Sequence, residues 1–267
     1  MKTHITRHLL ASIGFAVLPV LATLLAAAST AHAESVTLMA ADGVKVYGEY
    51  QSAPPTPQQA KAPLIIAFHQ AESSSAEYKP LMPRLNSAGF SVLAIDQRSG
   101  GNEFDGENKT VAALGRSTGY EAALQDMEAA LAWGKAKANG APVLVWGSSY
   151  SAALVFVLAA QHPADIQALL AFSPGEYLSK PDVVRNAAKK VSLPVFIDQA
   201  SDKDELSESR RIMAALATPA GDNKVNFTGR KNSVHGSATL RTDRNPGGAE
   251  ENWQAVLAFL GRFKPAR

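Results

Sequence analysis

The sequence holds no cysteine among its 267 residues. This excludes disulfides, thiol nucleophiles and thiolate metal sites, so the fold must be held by packing alone. A surplus of charge of one sign is lacking too. The formal charge of +2 arises from Lys2 and Arg7, and the rest of the chain carries 24 basic and 24 acidic residues. Such a balance argues against electrostatic binding to nucleic acid or to anionic membranes. Beyond residue 33 there is no His-x-x-x-His spacing and no glycine-rich phosphate loop, so no metal and no cofactor is expected.

The N-terminal segment has the features of a secretory signal peptide. Lys2 and Arg7 give a positive head, Leu9 to Ala28 is mostly apolar, and Ala31-His32-Ala33 is a small-x-small cleavage site before Glu34. A stretch of this length could also span a bilayer, but Pro19 in its middle and the Ala-His-Ala site favour cleavage. The expectation is a signal peptide over 1–33, a periplasmic or secreted protein, and one α/β domain over 34–267 with no stable membrane insertion after processing.

From residue 34 on, strand and helix signals alternate. Ser35–Met39 and Val44–Tyr50 form a hairpin about Asp42-Gly43, and a Pro-rich loop (Pro54, Pro55, Pro57) follows. Leu64–Phe68, Phe90–Ile95, Val143–Trp146, Ala168–Phe172, Val195–Ile197 and Val225–Phe227 read as further strands. Helical spacing predicts helices over Tyr78–Ala88, Glu121–Ala138, Ser149–Gln161, about Pro181–Lys190, Leu206–Leu216 and Trp253–Phe263. The alternation predicts a mostly parallel central sheet with helices on both faces and ligands at the carboxyl ends of the strands. Ser173–Leu193 holds about one helix, too little for a large cap. Ser99–Gly119 is long and polar and should overhang the cleft, with Phe104 as an apolar contact.

Between the strand at Val143 and the helix at Ser149 lies Gly147-Ser148-Ser149-Tyr150-Ser151. This is close to the G-x-S-x-G turn that lifts a serine above a sheet edge, with Ser151 where the second glycine stands. Ser149 is the candidate nucleophile; a helix-capping serine is the plain alternative. In such hydrolases the chain order is Ser, acid, His. His4, His8 and His32 leave with the signal peptide, His69 precedes the serine, and His162 ends the following helix beside Pro163. His235, in a loop after the last strand, is left as the general base. Asp198, Asp202, Asp204 and Glu205 all follow the strand at Val195. Asp198 is expected within the strand; Asp204 is preferred as the acid and Asp202 is the alternative. The oxyanion hole needs the Tyr150 N–H and one from the loop after Phe68, with Ala71 preferred over Gln70.

The segments GSSYSAALVFVLAAQHP, AFHQAESSSAEYKPLMPRLNSAGFSVLAIDQRSGG and VHGS resemble the α/β-hydrolase superfamily, particularly its dienelactone-hydrolase-like branch, from about Leu64 to Phe263. The resemblance implies an α/β-hydrolase fold and serine hydrolysis, and gives Asp96 and Arg98 a structural turn. The chain departs from the family's pattern at Ser151 and at Gln70-Ala71-Glu72, where a glycine usually follows the histidine. The expected activity is hydrolysis of a small carboxylic ester through Ser149, Asp204 and His235. Peptide or amide hydrolysis on the same residues, and a non-catalytic binding protein on the same fold, are the alternatives.

Overall fold

The computed structural model describes residues 33–54 and 61–264. The expected leader, apart from Ala33, lies outside the described residues, as do Pro55 and Pro57 of the Pro-rich loop.

Eight strands form one sheet in the order β1-β2-β4-β3-β5-β6-β7-β8. They are β1 (Ala33–Met39), β2 (Lys45–Gln51), β3 (Leu64–Phe68), β4 (Ser91–Ile95), β5 (Val143–Ser148), β6 (Ala168–Phe172), β7 (Val195–Asp198) and β8 (Lys224–Phe227). β1 and β2 form an antiparallel hairpin, β2 pairs antiparallel with β4, and every other pair is parallel. The hairpin turns at Gly43, whose φ of +83° suits a residue without a Cβ.

The central strands are buried throughout and mostly apolar because both of their faces are covered. Alternate side chains divide between the faces. Leu64, Ile66 and Phe68 pack with α3 (Leu124–Ala138), α4 (Tyr150–Gln161) and α5 (Val183–Ala188). Ile65 and Ala67 pack on the other side with Met82 and Leu85 of α1 (Met82–Ser87) and Trp253, Val256 and Phe259 of α7 (Ala249–Leu260). Ile212 of α6 (Lys203–Ala215) joins the first face.

The helix expected over Tyr78–Ala88 is shorter than its spacing suggested. Ser75–Glu77 makes a single 3-10 turn and α1 starts only at Met82, with Pro83 in its first turn. Proline lacks an N–H and fits only there. Inside the polar segment Ser99–Gly119 lies a short helix not expected from the sequence, α2 (Lys109–Leu114), capped by the Asn108 side chain accepting from Val111 N–H.

Candidate active site

Ser149 stands where β5 ends and α4 begins. Its φ of +57° with ψ of −120° is a conformation that residues with a Cβ rarely adopt. The turn is enforced by its neighbours. The Ser149 N–H donates to Phe172 O at 2.8 Å, and a Cβ on Gly147 would come within 2.3 Å of Ser151 O. Although Ser149 occupies the N-cap position of α4, its side chain caps nothing. The Oγ instead lies 2.8 Å from His235 Nε2.

His235 precedes Gly236, whose φ is +67° and whose N–H donates to Ser173 Oγ. On the far side of the imidazole, Nδ1 lies 2.5 Å from Glu205 Oε1. A carboxylate can only accept, so Nδ1 carries the proton and Nε2 is free to accept from Ser149. Burial opposes ionisation of Glu205, but His235, the Ser173 hydroxyl and the Ala200 N–H together hold its carboxyl below the usual range. Its hydrogen bond, less a desolvation cost, pushes His235 up from the ordinary imidazole value.

The acid at His235 is therefore Glu205, and the expectation of Asp204 is corrected. Asp202 is the N-cap of α6, its Oδ1 accepting from Asp204 N–H at 2.9 Å and Glu205 N–H at 3.0 Å. Once the helix begins at Lys203, successive residues point about 100° apart. Asp204 then faces solvent, while Glu205 turns inward with 14% of its side chain exposed and one more methylene of reach. Asp202, the alternative, is occupied by capping. Asp198 ends β7 and is buried with neither carboxylate oxygen bonded among the described residues, and burial pushes its carboxyl well up.

In the loop after β3, Gln70 N–H donates to Glu77 Oε2 at 2.8 Å and so has no free donor. Ala71 N–H and Tyr150 N–H have no acceptor among the described residues, Tyr150 being the first residue of α4. His69 is fully buried; its Nδ1 lies 2.7 Å from Gln70 O and its Nε2 accepts from Gln97 N–H at 2.9 Å. It holds the loop through these contacts. Ser151 Oγ donates to His69 O at 2.6 Å and lies 3.0 Å from Gln97 Oε1, so the residue that replaces the second glycine ties the turn to this loop.

A cavity of about 450 Å³ adjoins His235, lined by Gln70, Glu103, Phe104, Val234, Ala238 and Arg244. Phe104 arrives from the segment that was expected to overhang the cleft. Gly101 N–H to Ser73 O and Glu103 N–H to Glu72 O, both 2.8 Å, fasten that segment to the loop after β3. Arg241 and Arg244 lie over the Phe104 ring, at 4.6 and 5.1 Å from its centroid.

Similar folds occur in solved structures. A dienelactone hydrolase from Anabaena variabilis has a TM-score of 0.65 at 16% identity, over 88% of this chain and 99% of that one. An esterase from Pyrococcus furiosus has 0.64 at 19%, over 88% and 92%. A cold-adapted esterase from an Arctic intertidal metagenomic library has 0.61 at 19%, over 87% and 94%. At these identities the likeness shows the α/β-hydrolase fold. No curated protein matches the chain in sequence. Residues 59–197, just over half of the chain, match the family described as "Serine aminopeptidase, S33". The chain belongs to this S33 family of α/β-hydrolase-fold serine hydrolases.

Proposed function

We propose that the protein is an exported serine esterase in which Ser149 is the nucleophile, His235 the base and Glu205 the acid that orients it. The observation that carries the reading is the continuous relay Ser149 Oγ, His235 Nε2 and Nδ1, Glu205 Oε1, with links of 2.8 and 2.5 Å. His235 takes the Ser149 proton as Oγ attacks the ester carbon, and Glu205 stabilises the resulting imidazolium. The N–H groups of Ala71 and Tyr150 receive the developing oxyanion. The imidazolium then protonates the leaving alcohol, and a water activated by His235 releases the acid. Export rests on the leader features of residues 1–33.

A second reading, hydrolysis of aminoacyl amides, is favoured by the family match. It uses the same relay and differs in the leaving group. The test is a fluorophosphonate probe followed by a panel of p-nitrophenyl esters and aminoacyl p-nitroanilides. Labelling that disappears in Ser149→Ala, with turnover of the esters, is the expected result. Turnover of the anilides alone would replace esterase by aminopeptidase. Absence of labelling in folded protein would leave a binding protein on a hydrolase fold.

A further inference from the structure

Beneath the site lies a carboxyl that the relay does not use. Glu77 ends the 3-10 turn after the loop of His69 and is wholly buried. Its Oε2 accepts from Gln70 N–H at 2.8 Å, and its Oε1 accepts from Ser148 Oγ–H at 2.6 Å. Ser148 Oγ in turn accepts from Ser237 N–H at 2.9 Å. Gln70 directly precedes the oxyanion donor Ala71, Ser148 directly precedes the nucleophile, and Ser237 follows the base by two residues. One carboxyl thus bridges the three segments that must stay in register. The packing leaves no slack. A Cβ on Gly236 would come within 2.6 Å of Ser148 Oγ and 2.8 Å of Gln70 Oε1. The shelf continues inward, where Trp146 Nε1–H donates to Ser237 Oγ at 2.9 Å and Tyr78 OH donates to Phe68 O at 2.7 Å.

We propose that Glu77 is a positioning residue whose ionised carboxylate, by accepting from Gln70 and Ser148, holds the oxyanion loop, the nucleophile turn and the base loop in one arrangement. The inference rests on the reading of Ser149 and His235 given above. Both neighbours present donors, so the bridge is built for the carboxylate. A protonated Glu77 could keep Ser148 only if that hydroxyl reversed to accept, with its own proton turned out of the bridge, so protonation rearranges the Ser148 link. Burial works against the ionised form and pushes the carboxyl up to about 7, while Ser148, Gln70, Arg241 and His235 favour it. The hydroxyls of Tyr78 and Tyr150 also lie within its field. The site would then lose its register on mild acidification, independently of protonation of His235.

The experiment compares wild type with Glu77→Gln, Ser148→Ala and the double variant, by kinetics and by amide NMR on the intact chain. Glu77→Gln is expected to lower kcat roughly ten- to a hundredfold, the scale of displacing a catalytic donor or nucleophile slightly, with little change in KM. The acid limb of kcat/KM should fall more steeply than one proton allows in wild type and with one proton in Glu77→Gln. The double variant should be no slower than the slower single one, because both break one bridge. The amides of Gln70 and Ser237 should shift together near pH 7 in wild type and not in Glu77→Gln. Thermal unfolding at pH 8 separates positioning from mere support: Glu77→Gln should melt no lower than wild type, since it removes a charge that burial disfavours. Unchanged kcat with a one-proton limb in both proteins, losses that multiply in the double variant, amides that do not co-titrate, or a lowered melting point that accounts for the loss would each overturn the proposal. If the amides co-titrate but wild type turns over no ester or amide, the bridge stands and the hydrolase reading falls.

Discussion

Ser151 donates its hydroxyl proton to the main-chain oxygen of His69 at 2.6 Å, joining the first turn of α4 to the loop that carries Ala71. The departure from the family's glycine is thus a connection between the two segments that carry Ala71 and Tyr150, the proposed oxyanion donors. Ser151→Ala removes the donor and leaves the buried carbonyl without it, at a cost of about 1–3 kcal/mol. The expected outcome is a lower denaturant midpoint and a roughly tenfold fall in kcat. Unchanged kinetics would show that the loop holds its place without this contact.

Glu205 and Asp204 are adjacent in sequence and differ in what they face. Replacing Glu205 by Gln removes the acceptor that fixes the His235 tautomer, and loss of an orienting carboxylate of this kind costs about 10²- to 10⁴-fold in kcat. Asp204→Asn should change kcat less than about twofold, as expected for an exposed position away from such features. Steady-state kinetics on one ester decides the pair. Comparable losses in both variants would return the role to Asp204.

The pH dependence follows from the upward shift of His235. Only the neutral imidazole accepts the Ser149 proton, so activity is full above its raised pKa and is lost as pH falls through it. In Glu205→Gln the carboxylate that favours the imidazolium is gone, and the His235 limb should move to lower pH. A profile of kcat/KM for both proteins between about pH 5 and 8 tests this. A flat wild-type profile would remove His235 from the reaction.

Phe104 lines the cavity beside His235. Phe104→Ala should raise KM for esters with a long or aromatic group several-fold, and leave acetyl esters nearly unchanged. Burial of an apolar contact on this scale is worth about 1–3 kcal/mol. Equal effects across the panel would place the substrate elsewhere.

Arg98 is buried between the hairpin and α3. Its guanidinium bonds Asp126 at 2.7 and 2.9 Å and pairs with Asp42 in the β1–β2 turn. Arg98→Met leaves the fully buried Asp126 without its countercharge, which costs about 3–5 kcal/mol. Chemical denaturation should show this loss; a midpoint within experimental error of wild type would count against the ion pair.

Much of this fold could be read from the order of residues. Leu64–Phe68 and Ala168–Phe172 occupy the strands expected of them, because short apolar runs between turn residues leave one reading in a covered sheet. The pairing of Ser149 with His235 was legible from motif and chain order: the two stand within hydrogen-bonding distance. The pairing of Glu205 with His235 was not, because the helix was expected to begin only at Leu206, whereas it begins at Lys203 and orients Asp204 and Glu205 differently. The Asp202-x-x-Glu205 spacing is a helix-start signal that would have placed Asp202 as the cap and turned Glu205 inward. Glu77 carries no local signal at all. It lies in a polar stretch, and its burial arises only when the loops of β3, β5 and β8 meet above it.

The left-handed backbone of Ser149 has a meaning for how this protein can change. Glycine alone would sit at φ +57° and ψ −120° without strain. Ser149→Gly would therefore remove the proposed nucleophile and relax the backbone in one step. A population chosen only for resistance to heat would drift toward that silent form. On the proposed reading, only continued demand for turnover keeps a side chain at this position.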